Sequence, residues 1–179
     1  MNKVMRSNGC APALSPEPLV TLDADTGEIL VPSQDPAAVR AWIMNLTETL
    51  LAIPGEKFEF PVEHTVKDGM YMRKLFIPKG SLVVGKIHKV DCINIVAQGD
   101  ISVVTETGSA RVRAGYTVVS PAGIQKVGYA HEDTIFINVF RTDETDIERI
   151  EDAIAWNSYE AAGYLTTKSE GEQKCQLHG

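Results

Sequence analysis

Residues 115–126 read GYTVVSPAGIQK. Gly115 closes one turn, Tyr116 to Ser120 form a β-branched run suited to a strand, and Pro121-Ala122-Gly123 form the next turn, because proline presets one backbone angle and glycine supplies another. Outward from this stretch the same alternation of short apolar run and turn residues repeats over residues 58–141. FEFPV, MYMRKLFI, LVVGKI, INIVA, ISVVT, ARVR, YTVVS, IQKVGYA and TIFINVF are separated by KDG, PKG, the KVD bend, QGD, TGS, AG, PAG and HED. Strands this short with no helix between them imply an antiparallel sandwich or barrel rather than a parallel α/β sheet.

The flanks read differently. Leu19–Leu22 and Ile29–Val31 surround the turn-forming DADTG and predict a hairpin, which with the helix after it occupies residues 20–57. Asp35 followed by Pro36 marks a helix start, and Val39, Ile43, Leu46, Leu50 and Ile53 fall on one helical face before Pro54-Gly55 ends it. On the other side, residues 142–164 form a helical segment, with Thr145 and Glu148 spaced as a capping box and Ile147, Ile150 and Ile154 as an apolar stripe. The acidic run DETDIERIED reads as a solvated helical face. Residues 1–19 and 165–179 are polar or rich in Pro and Ser, and are expected to be a loose arm and a flexible tail.

A chain of 179 residues with 44% hydrophobic and 23% charged residues can bury one core, so collagen-like and wholly disordered chains are excluded. Seventeen Lys and Arg against 24 Asp and Glu leave a net charge of −7, which argues against a nucleic-acid partner held by a broad basic surface. Cys10, Cys92 and Cys175 are odd in number and far apart, so they are no disulfide framework and a reducing compartment is expected. With no apolar run of membrane-spanning length, no membrane partner is expected and a cytoplasmic location is. The sequence contains no phosphate-binding GxxxxGK[ST], no HExxH, no CxxC pair and no GxSxG.

GYTVVSPAGIQK resembles the second motif of the cupin family: a glycine, five residues, Pro-x-Gly, two residues, then a metal-binding histidine, whose place Lys126 takes. Counting back from Gly99 by the family's first motif puts Cys92 at the glutamate position, His88 at the second histidine and Lys86 at the first. The resemblance covers residues 58–141 and implies an all-β cupin-type jelly roll, a double-stranded β-helix barrel with flanking α-helices. GKIHK, the SPAG turn leading to VGYA, and DETDIE are also similar to small cupin-like proteins of tailed bacteriophages, a group that implies a setting in the host bacterial cytoplasm more than an activity.

Strand alternation gives Lys86 and His88 one face, and Cys92 and Asn94 one face of the next strand; cupin geometry would turn all four into the barrel mouth, with Lys126 opposite. Tyr71 and Arg73 share a face of their own strand and could add stacking and bidentate contact. The lysines and His88 suit a small anionic ligand such as a nucleotide, sugar phosphate or carboxylate, held to sequester or convert a host metabolite or signal. His88 and Cys92 are an N/S pair acceptable to a divalent metal such as zinc or copper; His64 or His131 would have to supply a third ligand, and no cofactor is firmly implied. A cupin enzyme, whether isomerase, lyase or metal-dependent oxygenase, could use His88 as base or ligand with Lys126 or Tyr71 as acid. A structural phage protein would instead have a filled pocket, its lysines paired with Asp91, Glu132 or Asp133. A homodimer is expected, because a barrel edge and the apolar helix at 36–53 both call for a cover.

Overall fold

The computed structural model describes residues 3–5, 19–54, 59–156 and 162–163. Of the expected arm only the backbone of Lys3–Met5 and residue 19 are included, and the expected tail, like Cys10 and Cys175, lies outside the described residues. The elements are β1 (Lys3–Met5), α1 (Pro36–Ala52), β2 (Val62–Lys67), β3 (Met70–Ile77), β4 (Leu82–Val84), β5 (Ile87–His88), β6 (Cys92–Gln98) and β7 (Asp100–Thr105). They continue with β8 (Gly108–Arg113), β9 (Thr117–Ser120), β10 (Val127–Ala130), β11 (Thr134–Arg141), α2 (Ile147–Ile154) and β12 (Ala155–Trp156).

One sheet runs β1-β4-β10-β7-β8 and the other β2-β3-β11-β6-β9, with every pair antiparallel. Without the edge strands β1 and β2, the remaining eight form β4-β10-β7-β8 over β3-β11-β6-β9, the interleaved double Greek key of a jelly roll. The expectation of an all-β jelly roll with flanking helices is met by strand order alone. β5 and β12 pair as a separate ribbon at one end.

Alternation decides what lies between the sheets. Leu75, Ile77, Val83, Val96, Ile101, Val112 and Ala130 face inward and pack with Phe60. The opposite face of β4, β10 and β7 presents Leu82, Val84, Val127 and Val104 to α1, which buries Val39, Ile43, Leu46 and Leu50 against them. The hairpin joins this outer layer: Leu22 bridges Ile29, and Ile29 is buried among the same side chains. The apolar stripe of α1 is thus covered within its own chain, and no longer calls for a second subunit. Among the described residues no helix is long and apolar enough to cross a membrane.

Three boundaries differ from expectation. The first strand after α1 is VEHTVK rather than FEFPV, since an edge strand with polar residues on both faces carries little hydrophobic signal. LVVGKI breaks at Gly85, whose N–H donates to Lys126 O, and so divides into β4 and β5. The cap of α2 is Asp146, which accepts from Arg149 N at 3.0 Å, whereas Thr145 is engaged through its backbone N–H by the Glu144 carboxylate.

Gly99 turns β6 into β7 with φ +88, and a Cβ there would stand 2.5 Å from both Asp133 O and Thr134 Oγ1. Gly80 has φ +76 but open space around it. Gly99→Ala should therefore cost about 3 kcal/mol, lowering the melting temperature by roughly 6–12 °C, while Gly80→Ala should cost about 1–2 kcal/mol. Equal melting temperatures for the two variants would contradict this packing.

Candidate functional site

The register of the second sheet lines up Arg73, Asn138 and Asn94 as neighbours across β3, β11 and β6. All three sit on inward positions, between an apolar row of Leu75, Phe136 and Val96 and a second formed by Tyr71 and Phe140. The row borders a cavity of about 60 Å³ lined by Arg73, Lys86, His88, Lys126 and Asn138 on its polar side and by Leu75, Val83, Ile101 and Phe136 on the other. That is room for a handful of waters or for the head group of a small molecule.

Beyond the row, α2 packs Ile150 and Ile154 on Tyr71, Cys92 and Phe140. On its adjoining face Glu151 reaches Arg73 Nε at 3.5 Å and Lys86 Nζ at 3.4 Å. DETDIERIED is therefore not wholly a solvated face, and Lys86 pairs with Glu151 rather than with Asp91, Glu132 or Asp133, the partners expected of a structural protein. Asp91 instead accepts from Ala122 N and Asp133 from Lys79 N, both in turns. Burial works against the Glu151 carboxylate, yet Arg73 and Lys86 together hold it below the usual range.

Lys126 has no such partner. Its Nζ is buried without a hydrogen bond among the described residues, as are Arg73 Nε and Asn94 Nδ2. Burial pulls the Lys126 ammonium below the usual lysine range, with nearby Cys92 opposing the shift. Arg73 Nε still has the Glu151 carboxylate at 3.5 Å, so Lys126 Nζ and Asn94 Nδ2 are the two left without an acceptor, at a cost of about 1–3 kcal/mol each and more for the charged one.

His88 edges onto Phe140 and places Nδ1 3.3 Å from Cys92 Sγ. Burial, with Lys126, Arg73 and Lys86 adding to it, pulls the imidazole from 6.5 down to about 3, so it is neutral at pH 7. Burial pushes the Cys92 thiol up, against the pull of Lys126 and a 3.6 Å hydrogen bond to Asn94 Oδ1, and so disfavours the thiolate that a nucleophile would need. Asn138 Nδ2 donates to the same Asn94 oxygen at 2.6 Å.

The sequence-derived residues thus fall into two groups. Arg73, Lys86, His88 and Lys126 line the cavity; Asn94 and Cys92 stand behind them. Tyr71 does not offer a stacking surface: it is 0% exposed, lies between His64 and Phe140, and bonds His64 Nδ1 at 2.7 Å, with burial first and Glu151 second raising its hydroxyl to about 12. Asn138 and Glu151 were not foreseen.

A metal fits these residues poorly. Among the described residues no three His, Cys, Asp or Glu side chains gather. Behind the pair His88 and Cys92 stand cations rather than a third ligand: His64 is held by Tyr71, and His131 bonds Ser102 Oγ at 2.8 Å on the face covered by the hairpin. The position nearest the pair in the resemblance is a lysine.

No family model matches the chain, and no curated protein matches it. Among solved structures it is similar to KdgF from a Halomonas species, at 20% identity with a TM-score of 0.42, covering 48% of this chain and 81% of that one. A cupin superfamily protein from Desulfitobacterium hafniense matches at 11% identity and TM-score 0.42, over 53% of this chain and 86% of that one. A cupin-2 domain protein from Shewanella frigidimarina matches at 12% identity and TM-score 0.40, over 57% and 98%.

A histidine held neutral by its fold takes up a proton on unfolding in acid, so its contribution to stability is whole above pH 6.5 and is lost as pH falls toward 3. His88 should add a slope of up to about 1.4 kcal/mol per pH unit to urea-unfolding stability in that window, and His88→Gln should remove it. His131, also lowered chiefly by burial, leaves its own slope in both proteins. An unchanged slope in His88→Gln would show that the imidazole is not buried as described.

Proposed function

We propose that this jelly roll binds the anionic head group of a small molecule, a carboxylate or phosphate, inside the barrel mouth, and so sequesters or converts a small acidic metabolite. The observation that carries the reading is Lys126 Nζ, buried and unpartnered on the wall of a cavity that also takes Arg73 and Lys86. Glu151 is the carboxylate that ion-pairs with Arg73 and Lys86, which leaves Lys126 to a ligand. An incoming oxyanion would accept from Lys126 Nζ and would stand beside the Asn138 amide and neutral His88. Such charge-assisted bonds, formed away from bulk water, contribute about 1.5–3 kcal/mol each.

The cavity's size narrows the ligand. About 60 Å³ accepts a head group and not a whole nucleotide, so a base or sugar would have to remain outside the mouth. Acid strength matters less than shape, since Arg73 and Lys126 approach from different walls and suit a planar or tetrahedral oxyanion that can accept from both.

Titration calorimetry with acetate, propionate, pyruvate and inorganic phosphate should find at least one of these anions bound. Lys126→Met should weaken that binding by roughly 10–100-fold, the equivalent of one charged hydrogen bond. Glu151→Gln removes the carboxylate that competes for Arg73 and Lys86, and should tighten binding several-fold. Unchanged affinity in Lys126→Met, or no binding of any of the four anions, would overturn the reading.

A further inference from the structure

Three nucleophilic or titratable side chains stand at this site with no role beyond electrostatics: Lys126, His88 and Cys92. Cys92 is the weakest candidate for covalent chemistry, because its sulfur is turned to His88 and Asn94 behind the cavity wall and burial holds it as the thiol. Lys86 is committed to its salt bridge with Glu151. Lys126 differs from both. It lines the cavity, its nitrogen makes no hydrogen bond, and no carboxylate is paired with it.

From that geometry we infer that Lys126 is an imine-forming lysine, and that the ligand class is a small 2-oxo acid whose carboxylate is held by Arg73 while its carbonyl carbon meets Lys126 Nζ. The inference rests on the anion-binding reading of the same cavity and adds a covalent step to it. The nitrogen lone pair adds to the carbonyl carbon, and the π electrons of the C=O bond move to its oxygen. That oxygen collects the two protons lost by nitrogen and leaves as water, so a C=N bond replaces the C=O bond with no oxidant or reductant required.

The surroundings favour each part of this step. An amine must be unprotonated to add, and burial shifts Lys126 toward that form, with nearby Cys92 opposing. A lysine in an apolar-walled pocket near another cation is the setting in which such amines are activated. The wall of Leu75, Val83, Ile101 and Phe136 limits the water that would hydrolyse the imine. His88 lies on the same cavity as a neutral imidazole at pH 7. The 2-oxo acid is preferred to a simple aldehyde because it brings a carboxylate to a cavity that Arg73 and the Asn138 amide line together with Lys126.

The test is reductive trapping. The full-length protein is incubated with pyruvate and sodium borohydride, and intact-mass and peptide-mapping spectra locate the adduct. One reduced pyruvyl group on Lys126, suppressed by excess propionate and absent from Lys126→Arg, is the expected result. Lys126→Arg keeps the positive charge and cannot form the imine, so calorimetry of that variant with propionate reports whether the pocket still folds and binds. If the wild type binds propionate and pyruvate yet gives no adduct on Lys126, or if adducts are spread over surface lysines, the covalent inference is overturned and anion binding stands. If neither carboxylate binds, the covalent inference falls too, and the reading beneath it falls with it only when acetate and phosphate also fail to bind.

Discussion

The row formed by Arg73, Asn138 and Asn94 is the constraint around which the barrel is built. These three polar side chains sit opposite one another across β3, β11 and β6, on positions that alternation turns inward. Burying them is costly, and they are held there by the rows on either side. Leu75, Phe136 and Val96 below and Tyr71 and Phe140 above each contribute about 1.5–3 kcal/mol when fully buried. A slip of one residue would bring in Met72, Val139 and Ile93 but expel both apolar rows at once, so the hydrophobic pattern fixes the polar row as a consequence.

The cost of that row is met only in part within the chain. Asn138 pairs with Asn94, and Arg73 shares Glu151 with Lys86, but Lys126 is left over. Such an arrangement is a poor way to gain stability, since apolar residues of similar volume would pack as well without the desolvation penalty. It is a good way to prepare a binding site, because the reorganisation that an anion would otherwise impose has already been made by folding. The overall charge of −7 does not conflict with this. Most of the acid groups are far from the cavity, whose own balance is positive.

The sequence made the barrel legible because its turns have strict chemistry. Pro121 and Gly123 bound one strand, Gly99 occupies a left-handed turn that no side chain could share, and MYMRKLFI coincides with β3 residue for residue. A strand's period of two gives Tyr71 and Arg73, and Lys86 and His88, shared faces, while it is the cupin resemblance that turns Lys86 and His88 into the mouth and sets Lys126 opposite. Asn138 was within reach of the same rule, as the one amide among Thr134, Phe136 and Phe140 on the inward face of β11, and it was missed because TIFINVF was read only as a hydrophobic run. Glu151 was out of reach. It adjoins the buried Ile150 on a helix whose acidic residues all suit solvent, and its partner Lys86 lies 65 residues away, so only the docking of α2 on the barrel end singles it out.

That docking bears on why a lysine should stand where the resemblance places a histidine. A neutral imidazole contributes to an anion site chiefly by holding a metal ion, which then supplies the positive charge. Lys126 carries its own charge on a flexible stem, and Arg73 adds a second cation from the opposite sheet. With His88 left neutral and Cys92 turned toward it, the donor set at the mouth has become one of fixed cations and hydrogen-bond donors. Glu151 then has a definite place. It compensates Arg73 and Lys86 while the cavity is empty of ligand, and because it comes from α2 rather than from the barrel wall, it can do so without filling the space in front of Lys126. The same jelly roll can therefore present a positive, partly dry pocket from side chains alone, with Lys126 as its unpaired donor.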